Sequence, residues 1–256
     1  MSKRKRFIIT SLVLSLGFVA TLLFANQYRF LAIGALALIT LALFFWSLKE
    51  GLGKNATLLS LILPTLFTLG VGIFWFLLPA SIYARIPVVI IYGVGIYVLC
   101  LTMNIYTVSA AVRTIALLRA AKGVGFVLTL LTSFLIFDAI FSVRSFFLIT
   151  FALVFITSFP LYLQGYWAIE LQEKFTKQLA VLSAISSLIT AQMAISLHFW
   201  PVPVVVGSLF LTSTFYMLLG LGQARLEGRL FSQTVREYLI VGLFVFIGMF
   251  FATRWG

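Results

Sequence analysis

The stretch "FLAIGALALITLALFFWSL" (30–48) decides the fold. It carries no charge and no regular alternation of polar and apolar residues. Its length matches the ~20 residues a helix needs to cross a ~30 Å hydrocarbon core. Lipid offers no partners to backbone N–H and C=O groups, so a spanning segment is either a helix or a strand of a closed barrel. Barrel strands alternate over about ten residues; this run is continuous and reads as a helix.

Runs of the same kind recur along all 256 residues, at 7–25, 30–48, 56–78, 86–104, 123–143, 145–165, 179–199, 201–223 and 237–253. Hydrophobic residues make up 62% of the chain and charged residues 9%, against about a quarter charged in a soluble domain. The expected fold is an all-α polytopic membrane protein of nine transmembrane helices. No stretch between the runs is long and polar enough for a separate soluble domain, so residues 1–256 read as one helical bundle. "KRKRF" (3–7) resembles the basic start of a secretory signal. The apolar run after it is longer than a signal core, and "LFANQ" (23–27) lacks a small residue at the −3 position. A retained first helix is expected; were it cleaved, eight spans would remain.

The net charge of +12 does not point to nucleic acid, because the cations are scattered between spans. With the N-terminus inside and nine alternating spans, all but Arg29, Arg85, Arg144 and Arg254 of the 18 Lys and Arg residues fall on the inner side. That bias is the positive-inside pattern. It predicts a cytoplasmic N-terminus, an outer C-terminus and a bacterial cytoplasmic membrane. Two inner connections, "IYTVSAAVRTIALLRAAK" (105–122) and "ARLEGRLFSQTVR" (224–236), mix basic and apolar residues at helical spacing. They read as short interfacial helices whose Arg113, Arg119, Lys122, Arg225, Arg229 and Arg236 meet anionic lipid headgroups. In "AIELQEKFTKQ" (168–178), acids and lysines four apart suggest a salt-bridged helix surface.

Residues able to carry chemistry are scarce. Cys100 and His198 are the single cysteine and the single histidine, so a cysteine metal cluster or an internal disulfide is out of reach. Neither HExxH nor GxSxG occurs, and no metal or cofactor is expected. Asp138, in "FLIFDAIFSVRSFF" (134–147), is the one acid well inside a span, where such residues face a partner or a cavity. On a continuous helix, Arg144 would sit about 120° around from it. The two can pair only if the chain turns near Ser142–Ser145. An Asp138–Arg144 ion pair bracing a tight outer hairpin is the expected arrangement, with ligand or ion binding as the alternative.

His198 ends the seventh span in "SLHFWPVP" (196–203), within an aromatic belt. Ala180, Ser183, Ala184, Ser187, Ala191 and Ala194 precede it at steps of three or four. That stripe of small residues suits close helix packing and predicts a central seventh helix. Asp138, Arg144, His198 and Arg85 share the outer side, and together could bind a phosphate or carboxylate headgroup. The gly-x-gly pairs read as packing sites, and Pro64 and Pro160 as kinks. A non-enzymatic membrane component that binds lipids, or scaffolds other membrane proteins, is the leading expectation. A small transporter or channel using Asp138 is the alternative. An enzyme on lipid-linked substrates using Asp138 and His198 comes last.

Overall fold

The structure, a computed structural model, describes residues 2–21, 28–52, 56–77, 82–109, 115–171 and 175–253. The described residues form helices α1 (Lys3–Ala20), α2 (Arg29–Leu48), α3 (Ile62–Leu77), α4 (Ile82–Ser109), α5 (Ile115–Ser142), α6 (Phe147–Glu170), α7 (Lys177–His198), α8 (Val204–Leu226) and α9 (Ser232–Ala252). A 3₁₀ segment, Ala56–Leu61, leads into α3, and there is no strand among them. Eight of these helices are long and apolar enough to cross a membrane. The chain is an integral membrane protein of helical type.

The expected first span is the exception. Its four basic residues, Lys3–Arg6, occupy the first turn of α1. The apolar remainder, Phe7–Ala20, rises only about 20 Å at 1.5 Å per residue. The chain divides into two compact units, the first comprising residues 1–128 and 171–174, the second 129–170 and 175–256.

In the first unit, α1 is packed, not peripheral. Phe7, Leu14 and Phe18 are fully buried. The Phe18 ring lies 4.7 Å from that of Tyr92 and 5.1 Å from that of Trp75, centroid to centroid. Hydroxyls tie the helices. Thr10 and Ser47 lie 2.7 Å apart, and Ser11 donates to the Gly93 carbonyl at 2.7 Å. Thr40, Thr68 and Tyr92 form a chain of hydroxyls with 3.1 Å spacings across α2, α3 and α4. Gly93 is needed for this approach, since a Cβ there would stand 2.6 Å from the Ser15 hydroxyl. At the other end of α2, Glu50 accepts a hydrogen bond from Arg6 and lies 3.4 Å from Lys3.

In the second unit, α7 packs between α6 and α8. Ser183, Ser187, Ala191 and Ala194 of the small-residue stripe are buried, while Val181, Ile185, Leu188 and Met193 are exposed, so α7 packs by one side and is not the enclosed central helix expected. Tyr162 and Tyr166 of α6 reach Thr190 and Ser186 of α7 at 2.8 and 2.7 Å. Tyr166 also donates to the Leu218 carbonyl at 3.0 Å, and Gln223 donates to that of Gly165 at 3.0 Å. Gly222 lies directly against the Tyr166 ring, so this pair of glycines serves packing. Helix α9 buries only Met249 among its described residues.

Two local expectations are corrected. Neither basic connection forms a separate surface helix among the described residues. Residues 105–109 continue α4, and Arg119 and Lys122 belong to the first turns of α5. The other connection is a turn between α8 and α9, with Gly228 at φ +69°. Its residues are drawn into the long helices because apolar positions continue on both sides. "AIELQEKFTKQ" is not one helix either. Leu171 adopts φ +49° just after α6 ends, a left-handed stop that ends helices; Glu173 and Lys174 lie outside the described residues. Pro64 lies just after the 3₁₀ segment passes into α3.

The Arg6 guanidinium, with Lys3 beside it, holds the Glu50 carboxyl below its ordinary value of 4.5. A depressed folded value stabilises at pH above 4.5 and is lost as pH falls through the lowered value. In thermal unfolding of the detergent-solubilised protein, Glu50→Gln should therefore be less stable than the parent at pH 7. That gap should close as the medium is acidified below 4.5.

Candidate functional site

Four helix ends and two connections of the second unit meet around a cleft. Helix α5 ends at Ser142, the chain turns through Val143 and Arg144, and α6 starts at Phe147. Helix α7 ends at His198, and "FWPVP" (199–203) leads into α8. The two prolines of this connector cannot donate backbone hydrogen bonds. Pro203 precedes α8 with no side-chain cap, so the first N–H groups of α8 lack a side-chain acceptor.

The cleft has a volume of about 420 Å³ and is half open. Phe141, Leu197, Val202, Pro203 and Val204 give it apolar walls, and Arg144, His198 and Trp200 bring polar groups. Arg144 and His198 are both exposed. Two features make this cleft electropositive, the guanidinium and the open N-terminus of α8 with its partial positive charge, and the imidazole adds a hydrogen-bonding group. His198 lies in the last turn of α7, beside the rings of Phe147 and Phe199, with centroids 6.5 and 5.4 Å away. It therefore stands at the mouth of the cleft and not inside the helix bundle. Trp200 donates from its indole to the Thr253 hydroxyl at 3.1 Å, which ties the connector to the end of α9.

Asp138 does not line this cleft. It is 4% exposed and accepts a hydrogen bond from Ser208 at 3.0 Å. Ser208 follows Gly207, a cleft residue, so the carboxyl lies behind the cleft wall. The expected turn at Ser142–Ser145 is present, but the expected ion pair is not. Among the described residues no cation lies within 4.0 Å of Asp138. The turn itself separates them. Arg144 takes a left-handed backbone, φ 48°, and its side chain goes to the cleft while Asp138 faces α8.

Arg85 belongs to the first unit, where its guanidinium lies over the Trp75 ring. Of the six basic residues expected at headgroups, Arg113 lies outside the described residues. Arg119 is exposed and Lys122 half-buried in the first unit; Arg225, Arg229 and Arg236 are exposed in the second. Arg229 lies 3.8 Å from Glu227. Sequence reasoning missed Ser208, the partner of the buried acid. It is one of many hydroxyls in apolar runs, and its only signal was its place one turn inside the start of α8. The described residues contain no group of three or more His, Cys, Asp or Glu that could hold a metal.

Residues 16–252 match the family described as a protein of unknown function, DUF5656, and the chain belongs to that family. No curated protein and no solved structure matches it.

Ser208→Ala leaves a buried carboxyl without its donor, which should cost about 1–3 kcal/mol in thermal or denaturant unfolding. Asp138→Asn keeps an oxygen for Ser208 to donate to and should cost less. Arg144→Gln should leave stability nearly unchanged. A loss from Arg144→Gln equal to that from Ser208→Ala would restore the ion-pair brace.

Proposed function

We propose that this DUF5656 protein is a non-enzymatic membrane component that holds an anionic lipid by its headgroup in the cleft of the second unit. The observation that carries this reading is the pairing of Arg144 and His198 with otherwise apolar walls around about 420 Å³. A phosphate would take hydrogen bonds from the guanidinium fork and lie near the open N-terminus of α8. Its glycerol and upper acyl carbons would lie along Phe141, Val202 and Val204. The volume is in the range of sites for small amphiphiles. The distribution of Lys and Arg between the spans supports placing this cleft at the outer face. The exposed Arg225, Arg229 and Arg236 would then meet anionic headgroups of the inner leaflet.

The backbone at Arg144 adds weight. A left-handed conformation at a residue other than glycine costs about 1 kcal/mol or more, and here it presents a cation to a cleft. A second reading is favoured by the burial of Asp138 against Ser208 just behind the wall: a transport activity in which Asp138 binds the coupling proton or cation. The two readings separate at Asp138. Removing its charge would stop coupled transport, but would leave an anion in the cleft as firmly bound or more so.

In native mass spectrometry, the purified protein carrying Arg85→Gln, which removes the guanidinium over Trp75 in the first unit, should carry a phosphatidylglycerol adduct. Arg144→Gln and Arg144→Gly should each weaken it roughly tenfold or more. The glycine variant relaxes the backbone and should unfold at no lower temperature than the parent, so its loss of lipid would not reflect misfolding. Retention of the lipid by both variants, or its loss in Asp138→Asn alone, would sink the headgroup reading.

A further inference from the structure

We infer that the first unit holds a second, independent anion site, where Arg85, Arg29 and the indole N–H of Trp75 grip a phosphate or carboxylate group. Helices α2 and α4 start, and α3 ends, at the same end of this unit, because Arg29 and Arg85 at the two starts reach the rings of Phe76 and Trp75 in the last turn of α3. Arg29 is the first residue of α2, Trp75 lies in the last turn of α3, and Arg85 lies in the first turn of α4. The Arg85 guanidinium carbon is 5.5 Å from the centre of the Trp75 ring. That of Arg29 is 5.5 Å from the ring of Phe76, the next residue.

Stacking on a ring face satisfies the charge but not the N–H groups. The Nε atoms of Arg29 and Arg85 and the indole nitrogen of Trp75 are all buried with no hydrogen-bond partner among the described residues. Trp75 is only 1% exposed, so water does not serve it from the surface. Arginines that merely reach for the headgroup layer would leave their donors in that layer. Buried orphaned donors are rare in native proteins, and each calls for a partner.

The missing partner is not a carboxylate of this unit among its described residues. Glu50, the one acid among them, is held by Arg6 and Lys3 beyond the opposite end of α2. That is roughly 30 Å away along a helix of this length. Two cations and three donors without a counter-charge at two helix N-termini, of which α2 has no side-chain cap, form an anion site. The planar, forked donors of arginine fit a phosphate or carboxylate. A lipid headgroup and a free phosphate share that chemistry.

The test uses the full chain carrying Arg144→Gln, so that the cleft of the second unit does not contribute. The purified protein is titrated with dioleoylphosphatidylglycerol, with dioleoylphosphatidylcholine, and separately with inorganic phosphate. Adducts are read by native mass spectrometry, and melting temperature is followed in parallel. Phosphatidylglycerol should bind in preference to phosphatidylcholine, or phosphate alone should raise the melting temperature. The first result identifies a headgroup and the second a free anion. Adding Arg85→Gln should weaken the effective probe roughly tenfold. Adding Trp75→Phe, which keeps an aromatic ring near Phe18 but removes the N–H together with part of the indole's volume, should weaken it by a smaller factor. Binding of neither anion overturns the inference, as does binding that both variants leave unchanged while they melt normally. Because every measurement is made without Arg144, failure of the cleft reading leaves this result standing.

Discussion

Every polar side chain within a span must find its partner inside the protein, because hydrocarbon offers none. The rest of the structure follows from that constraint. The Thr40–Thr68–Tyr92 chain in the first unit and the Tyr162–Thr190 and Tyr166–Ser186 pairs in the second are its direct products. Each joins two or three helices at one level, where apolar side chains alone would let them slide. Association of helices in lipid has no hydrophobic drive of its own. These hydroxyls and the glycines beneath them therefore set which faces meet. Gly222 under the Tyr166 ring and Gly93 beside Ser11 and Ser15 are where the backbone comes close enough for those bonds to form.

The same constraint sorts the charged residues. Glu50 is satisfied by Arg6 and Lys3 at a helix end, and Asp138 by a single hydroxyl within the helices. Arg144 turns into a cleft, and Arg29 and Arg85 lie on aromatic rings with donors unmet. Acids are thus matched internally, while several cations at helix ends are not. An excess of unmatched cations at helix ends beside apolar walls is what an anionic amphiphile would complete.

The spans were legible because their signal is long and redundant. The expected 30–48 and 179–199 differ from α2 and α7 by at most two residues at either end. Misplacement came where a few residues decide. At Leu171 a left-handed backbone stops α6 with no glycine to announce it. Around 105–122, the spacing that suggested a surface helix was the continuation of α4 and α5 themselves. The site was half legible. Arg144 and His198 line one cleft, which a shared side alone could not give, and the chain turns at Ser142–Ser145, where pairing of Asp138 with Arg144 would have required it. The Asp138–Arg144 pair failed because sequence separation gives the angle between side chains on a helix but not the direction a side chain takes after a turn. Ser208, 70 residues away, could be found only from the packing of α8 on the rest of the unit.

The turn at Arg144 shows how these levels connect. A glycine would adopt φ 48° at no steric cost, and it would close the same tight connection between α5 and α6. Arginine there incurs a backbone penalty, gains no ion pair with Asp138, and is exposed. The local fold therefore does not account for its presence. What it supplies is a cation held at a fixed place by a short turn, against the uncapped start of α8 and the walls contributed by Phe141 and Val204. A flexible surface loop could carry the same charge, but would have to be ordered each time an anion bound, at a cost in entropy. On the proposed reading, strain taken up in folding would serve as preorganisation, and the cleft, not the buried carboxyl behind it, would be the site that meets a ligand.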